Sequence, residues 1–137
     1  MSLVLDASAT LAWFFDDERT ADSEQLIDRV ASEGASVPLI WLYEVANGLF
    51  SAVRRKRIDS AYREASLAEL KLFDITVDRD GAEGAAWTST LALAARFALT
   101  VYDAAYVELA QRRGLSLATG DRAMRRAAAT LGIGLLG

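Results

Sequence analysis

Five short apolar runs, spaced along the chain, constrain its fold more than any other feature. They are Leu3-Val4-Leu5, Ala35-Ser36-Val37, Ile75-Thr76-Val77, Leu115-Ser116-Leu117-Ala118 and Ile133-Gly134-Leu135-Leu136. Each is short enough for a buried strand, and between them the hydrophobic spacing changes to that of a helix. Strands that alternate with helical segments are joined by crossovers, which predicts an α/β class with helices on both faces of the sheet. The expected sheet is small and mainly parallel, with about five strands. No repeat, linker or low-complexity segment divides the chain, so its 137 residues predict a single domain over 1–137.

The helical segments carry end signals. Ser8 is placed to cap a helix over 9–15, and Gly34 ends one over 20–33. Pro38 is the only proline, and a first helical turn tolerates it, so a helix is expected from about 39 to 56. Its expected core stripe is Leu42, Val45, Ala46, Leu49 and Val53. Further helices are expected over 60–73, 80–97, 102–113 and 122–130, with Trp87, Leu91 and Ala94 at helical spacing in the second of these. In the 102–113 segment, Tyr106, Val107 and Ala110 lie three, four and seven residues beyond Asp103 and make an apolar face. Glu108 falls off that face and reads as a surface residue. Asp16, Asp17 and Glu18 read as a solvated turn.

Two absences limit the chemistry. The chain has no cysteine and no histidine. That removes thiolate nucleophiles, His-based triads, and zinc or iron–sulfur sites held by Cys or His. Any resident metal has to be a hard cation held by oxygen, such as Mg²⁺ or Mn²⁺. No uncharged run reaches the ~18–20 residues that span a bilayer, and the N-terminus lacks a basic leader, so a cytoplasmic protein is expected. The net charge of −4 argues weakly against a nucleic-acid partner. It conceals basic runs at Arg54-Arg55-Lys56-Arg57, Arg112-Arg113 and Arg122 with Arg125-Arg126, and local patches matter more than the sum.

Four acids fall where such a fold gathers its ligands. In open parallel sheets the binding edge lies at the carboxyl ends of the strands. Asp6 ends the first strand, Asp121 follows the fourth, Glu44 lies early in the helix after the second, and Asp103 opens the helix before the fourth. If they converge, each ~4 Å pair repels by about 4 kcal/mol at an effective dielectric of 20, and a divalent cation relieves this. Metal-activated water attacking a phosphodiester is the chemistry such a group supports. Each acid also has a plainer reading: Asp6, Asp103 and Asp121 as turn or cap residues, Glu44 as a surface residue. Ser8, Asn47 and Thr119 are short polar neighbours able to support the acids by hydrogen bonds or through water. Arg54, Arg55 and Arg122 are candidate phosphate contacts, while Arg54–Arg57 also suit a helix C-terminus. Trp13, Trp41, Trp87 and the tyrosines read as core or interface.

Four segments together resemble a known family. They are Val4-Leu5-Asp6-Ala7-Ser8, Tyr43-Glu44-Val45-Ala46-Asn47, Leu99-Thr100-Val101-Tyr102-Asp103-Ala104-Ala105-Tyr106 and Leu117-Ala118-Thr119-Gly120-Asp121-Arg122. In order and spacing they resemble PIN-domain ribonucleases, and within them the VapC toxins of bacterial toxin–antitoxin pairs. The resemblance implies a PIN-like domain and a metal-dependent endoribonuclease whose acid quartet corresponds to Asp6, Glu44, Asp103 and Asp121. It also implies a structured RNA substrate, a homodimer, and a cognate VapB-like antitoxin whose C-terminal segment blocks the acidic pocket. Asp6 and Asp103 are expected as the principal metal ligands, with Glu44 and Asp121 completing the site directly or through water. A contrasting reading is a catalytically silent binding module whose acidic pocket receives a partner's arginine. A haloacid-dehalogenase-type phosphohydrolase would need Asp-x-Asp after the first strand, where this chain has Asp6-Ala7-Ser8. No Gly-rich nucleotide loop is present.

Overall fold

A computed structural model describes residues 2–136. Its five strands are β1 (Leu3–Leu5), β2 (Ala35–Pro38), β3 (Ile75–Asp78), β4 (Leu117–Ala118) and β5 (Leu135–Leu136). They form one sheet in the order β3-β2-β1-β4-β5, and every neighbouring pair is parallel. The central strand is fully buried, as expected for a strand covered on both faces. The helices are α1 (Ala7–Leu11), α2 (Ala21–Glu33), α3 (Ile40–Arg54), α4 (Ser60–Leu70), α5 (Leu91–Phe97), α6 (Val101–Arg113) and α7 (Arg122–Thr130). A wide-turned helix over Gly81–Thr90 runs straight into α5.

The chain moves from β1 outward to β2 and β3, then returns to place β4 on the other side of β1. Right-handed crossovers then send the helices before and after this return to opposite faces. The reversal makes a crevice at the carboxyl ends of β1 and β4, the usual binding position in such sheets. Asp6 follows β1 and Thr119 follows β4, so both loops open at that crevice.

Two close contacts bring α1 and α3 to the same end. A Cβ on Gly48 would come within 2.3 Å of Leu11 Cδ1, so the absence of a side chain there lets the helices approach. The buried Trp41 indole donates to Thr10 Oγ1 at 3.0 Å, and the Thr10 hydroxyl donates to the Asp6 carbonyl at 2.8 Å. These contacts fix the start of α3, and hence Glu44, relative to the end of β1.

Several local expectations are corrected. Asp6 caps α1 in place of Ser8, accepting from the Ala9 N–H at 2.7 Å. Pro38 is the last residue of β2, paired in register with Asp78, where its missing N–H interrupts no further ladder. The buried stripe of α3 is Trp41, Val45, Leu49 and Ala52; Leu42 and Ala46 are exposed and Val53 is half-buried. The face is rotated because α3 packs on both α1 and α4. Trp87 is 92% exposed and Leu91 is exposed too, while Ala94 is buried.

Glu108 is the largest departure, being only 5% exposed. Helix α6 packs on β1, β2 and β4, and the 81–97 helical segment covers another side of it. A helix enclosed this way has little solvated face left, so position off the apolar stripe does not imply exposure. A Cβ on Gly81 would meet Asp78 Oδ2 at 2.7 Å and Arg112 Nη2 at 2.9 Å, which shows how tightly that helix closes over Glu108 and its neighbours.

Candidate active site

Asp6 is 4% exposed and heavily hydrogen-bonded. Besides the Ala9 N–H, its carboxylate accepts from the Ser8 hydroxyl at 3.0 and 3.2 Å and from the Thr119 hydroxyl. Thr119 follows β4, so its hydroxyl crosses the crevice between the two central strand ends. The same oxygen accepts from the Asp121 N–H at 3.0 Å. Asp121 is exposed and caps α7 by accepting from the Met124 N–H at 2.8 Å.

Glu44 is half-buried in the second turn of α3. Its carboxylate accepts from the Tyr106 hydroxyl at 2.6 Å, a contact between α3 and α6. Asp103 is half-buried in the first turn of α6. It is not the cap of that helix: Thr100 holds the position, its hydroxyl accepting from the Asp103 N–H at 3.0 Å. The Asp103 carboxylate is therefore spared from capping.

The four acids act on one another electrically. Burial raises the pKa of Asp6 despite its hydrogen bonds from Thr119, Ala9 and Ser8, and the charge of Asp103 raises it further. Burial likewise raises Glu44; its Tyr106 bond opposes this, and the charges of Asp103 and Asp6 add to the rise. Asp103 is raised by burial and by the charge of Asp121. Asp103 is thus coupled to each of the other three, and among the described residues no arginine or lysine forms an ion pair with Asp6, Glu44 or Asp103.

The donor set can be tested for a hard divalent cation. It consists of carboxylate oxygens, with no histidine or cysteine anywhere in the chain. Three of the acids are held protonated more readily than usual by burial and like charge, a strain that a cation relieves. Among the described residues, no group of three or more acidic side chains forms a preassembled metal cage. Mg²⁺ needs none, because it keeps several waters and takes one or two protein carboxylates. The residues fit a water-rich Mg²⁺ or Mn²⁺.

The polar neighbours divide. Ser8 and Thr119 bond directly to Asp6. Asn47 is exposed one turn beyond Glu44 and makes no hydrogen bond to the acids among the described residues. Arg122 is exposed beside Asp121. Arg54 and Arg55 are exposed at the far end of α3, about 15 Å from Glu44 at 1.5 Å per residue. Arg57 is engaged elsewhere, bridging Asp17 and Glu18 at 2.5 and 2.8 Å. Sequence reasoning missed the hydroxyl of Tyr106, reading that residue only as part of an apolar face. The signal was present, since a tyrosine on a buried stripe requires a partner for its O–H.

Fold and site define a class that comparison with known proteins identifies. The model of the PIN domain family matches residues 3–130. The chain belongs to the PIN-domain family, in its VapC-type branch. It is 37% identical over 123 residues to the curated protein Ribonuclease VapC3 of Pyrobaculum aerophilum, covering 89% of this chain and 91% of that one. The crystal structure of PAE2754 from Pyrobaculum aerophilum superposes with a TM-score of 0.68 at 27% identity, covering 93% of this chain and 79% of that one.

Proposed function

We propose that this protein is a Mg²⁺- or Mn²⁺-dependent endoribonuclease that cleaves structured RNA as the toxin of a type II toxin–antitoxin pair. The observation that carries the reading is a buried acid group, at the crevice of a parallel sheet, left without a basic partner. The likeness to Ribonuclease VapC3 supports the reaction class and the toxin role. The VapC name of that relative supports a cognate VapB-like antitoxin as partner, and the further proposed partner is a second copy of the chain. No helix among the described residues is long and apolar enough to cross a membrane, and a cytoplasmic RNA target accords with that.

Asp6 and Asp103 hold the cation, and Glu44 and Asp121 complete the site directly or through water. When bound, the cation polarises the phosphodiester and lowers the pKa of water. The Ser8 and Thr119 hydroxyls fix the orientation of Asp6, so its carboxylate does not have to reorganise when the site fills. One of the four acids takes the proton from the attacking water. Arg122 meets a phosphate at the site, and Arg54 and Arg55 meet the strand further along α3. Asn47 has the position to act through water.

The test is cleavage of total RNA by the purified chain. Cleavage is expected with Mn²⁺ and lost with EDTA. Asp6→Asn or Asp103→Asn is expected to lose more than ~100-fold, beyond the 10–100-fold typical of residues that only support a ligand. Undiminished cleavage by either variant removes the catalytic assignment.

A further inference from the structure

We infer that Tyr106 is a positioning residue: its phenol holds the Glu44 carboxylate in one orientation, with the second oxygen directed to the divalent cation. The inference rests on the metal-dependent reading above and assigns a role to a residue outside the acid quartet.

Tyr106 is 2% exposed, yet its hydroxyl lies at the polar edge of the core. It sits one helical turn after Asp103, so α6 presents both side chains toward the same end of the molecule. The hydroxyl reaches Glu44 Oε1 at 2.6 Å, joining residues 62 positions apart in sequence. The bond thus ties the start of α3 to α6, the two helices that carry Glu44 and Asp103.

The bond is selective. Among the described residues no other hydrogen bond reaches the Glu44 carboxylate, so Oε2 has no protein partner. Asp6, by contrast, is held by three donors. Glu44 is also a longer side chain on a helix surface, with more rotamers to lose than Asp6. A single short bond from a fully packed ring removes that freedom while leaving one oxygen for a ligand.

The test is calorimetric titration of the full chain with MnCl₂, comparing wild type, Tyr106→Phe, Glu44→Gln and the double variant. Tyr106→Phe keeps the ring and removes one oxygen. Its Mn²⁺ affinity is expected to fall about 10-fold, the lower end for a partner that orients a ligand. In the Glu44→Gln background the same change is expected to have no further effect, because the two act as a unit. An unchanged affinity in Tyr106→Phe overturns the inference, as does an equal loss with and without Glu44. Wild type that binds no Mn²⁺ sinks the metal reading, and this inference with it. Should Tyr106→Phe fail to fold, a crystal structure of the Mn²⁺-loaded wild type decides: Glu44 Oε1 on the phenol and Oε2 toward the cation is expected, and a carboxylate turned away from the phenol overturns the inference.

Discussion

Two groups of carboxylates lie along the two halves of α6, and they are solved in opposite ways. Near the start of the helix, buried Asp6 and half-buried Glu44 and Asp103 repel one another, with no ion pair to any of them among the described residues. Near its end, Asp78 and Glu108 are buried but meet arginines. Arg112 donates to Glu108 Oε1 at 2.7 Å and to Asp78 Oδ2 at 2.5 Å, and Arg113 donates to Asp78 Oδ1 at 2.8 Å. Burial would raise Asp78, but its bonds from Arg112 and the Gly81 N–H and the charges of both arginines outweigh that and hold it below the usual carboxylate range. The site acids are raised instead. The chain thus has the means to neutralise buried carboxylates and withholds them at the crevice. A cluster complete in itself ties β3 to α6, while Asp6, Glu44 and Asp103 have no such ion pair among the described residues.

The sharpest way to break this contrast is to remove the shared arginine. Arg112→Met leaves Asp78 and Glu108 short of their main partner. Fully buried pairs broken on one side cost ~3–5 kcal/mol. The Arg112 side chain is 33% exposed, and solvent screening reduces the expected loss to roughly 2–3 kcal/mol. Urea unfolding measures it, and a change below ~0.5 kcal/mol would make the cluster incidental.

A smaller effect comes from acid. Asp78 has a folded pKa below its unfolded value, so the stability it confers is complete above about pH 4 and is lost as pH falls through the folded value. The site acids have folded pKa values above their unfolded ones, so they cost stability at neutral pH and that cost is relieved on acidification. In EDTA, acidification from neutral pH is therefore expected first to raise thermal stability, as Asp6, Glu44 and Asp103 take up protons, and then to lower it below about pH 4, as Asp78 does. A monotonic fall from pH 7 would contradict the site half of the comparison.

The smallest effect sharpens it most. Asp103→Asn removes the charge coupled to all three other acids. It also removes a favourable charge from the first turn of α6, worth ~0.3–1 kcal/mol. The net expected change at pH 7 in EDTA is a gain of up to about 1 kcal/mol, with activity lost, the usual exchange at a strained functional site. A destabilised Asp103→Asn protein would show that this carboxylate serves the fold.

Much of this was legible in the sequence, for reasons that differ by residue. The five strands and their parallel pairing follow from short apolar runs separated by helical spacing. The placement of Asp6 and Asp121 follows because a residue just after a parallel strand has to lie at the sheet's carboxyl edge. The family followed from four segments whose order and spacing matched. The buried face of α3 was not legible, because Leu42 and Trp41 are neighbours and only packing on both α1 and α4 chooses between them. Nor was Thr100 as the cap of α6, since both Thr100 and Asp103 have capping side chains and backbone geometry decides.

The sequence by itself determined the α/β class, the family and the absence of histidine and cysteine, because these rest on local pattern and on which side chains exist. Only the tertiary structure decided that Tyr106 meets Glu44, that Glu108 is enclosed, and that one acid cluster receives arginines while the other does not. Those outcomes depend on which helix covers which, and contacts between residues far apart in the chain leave no periodic trace in it.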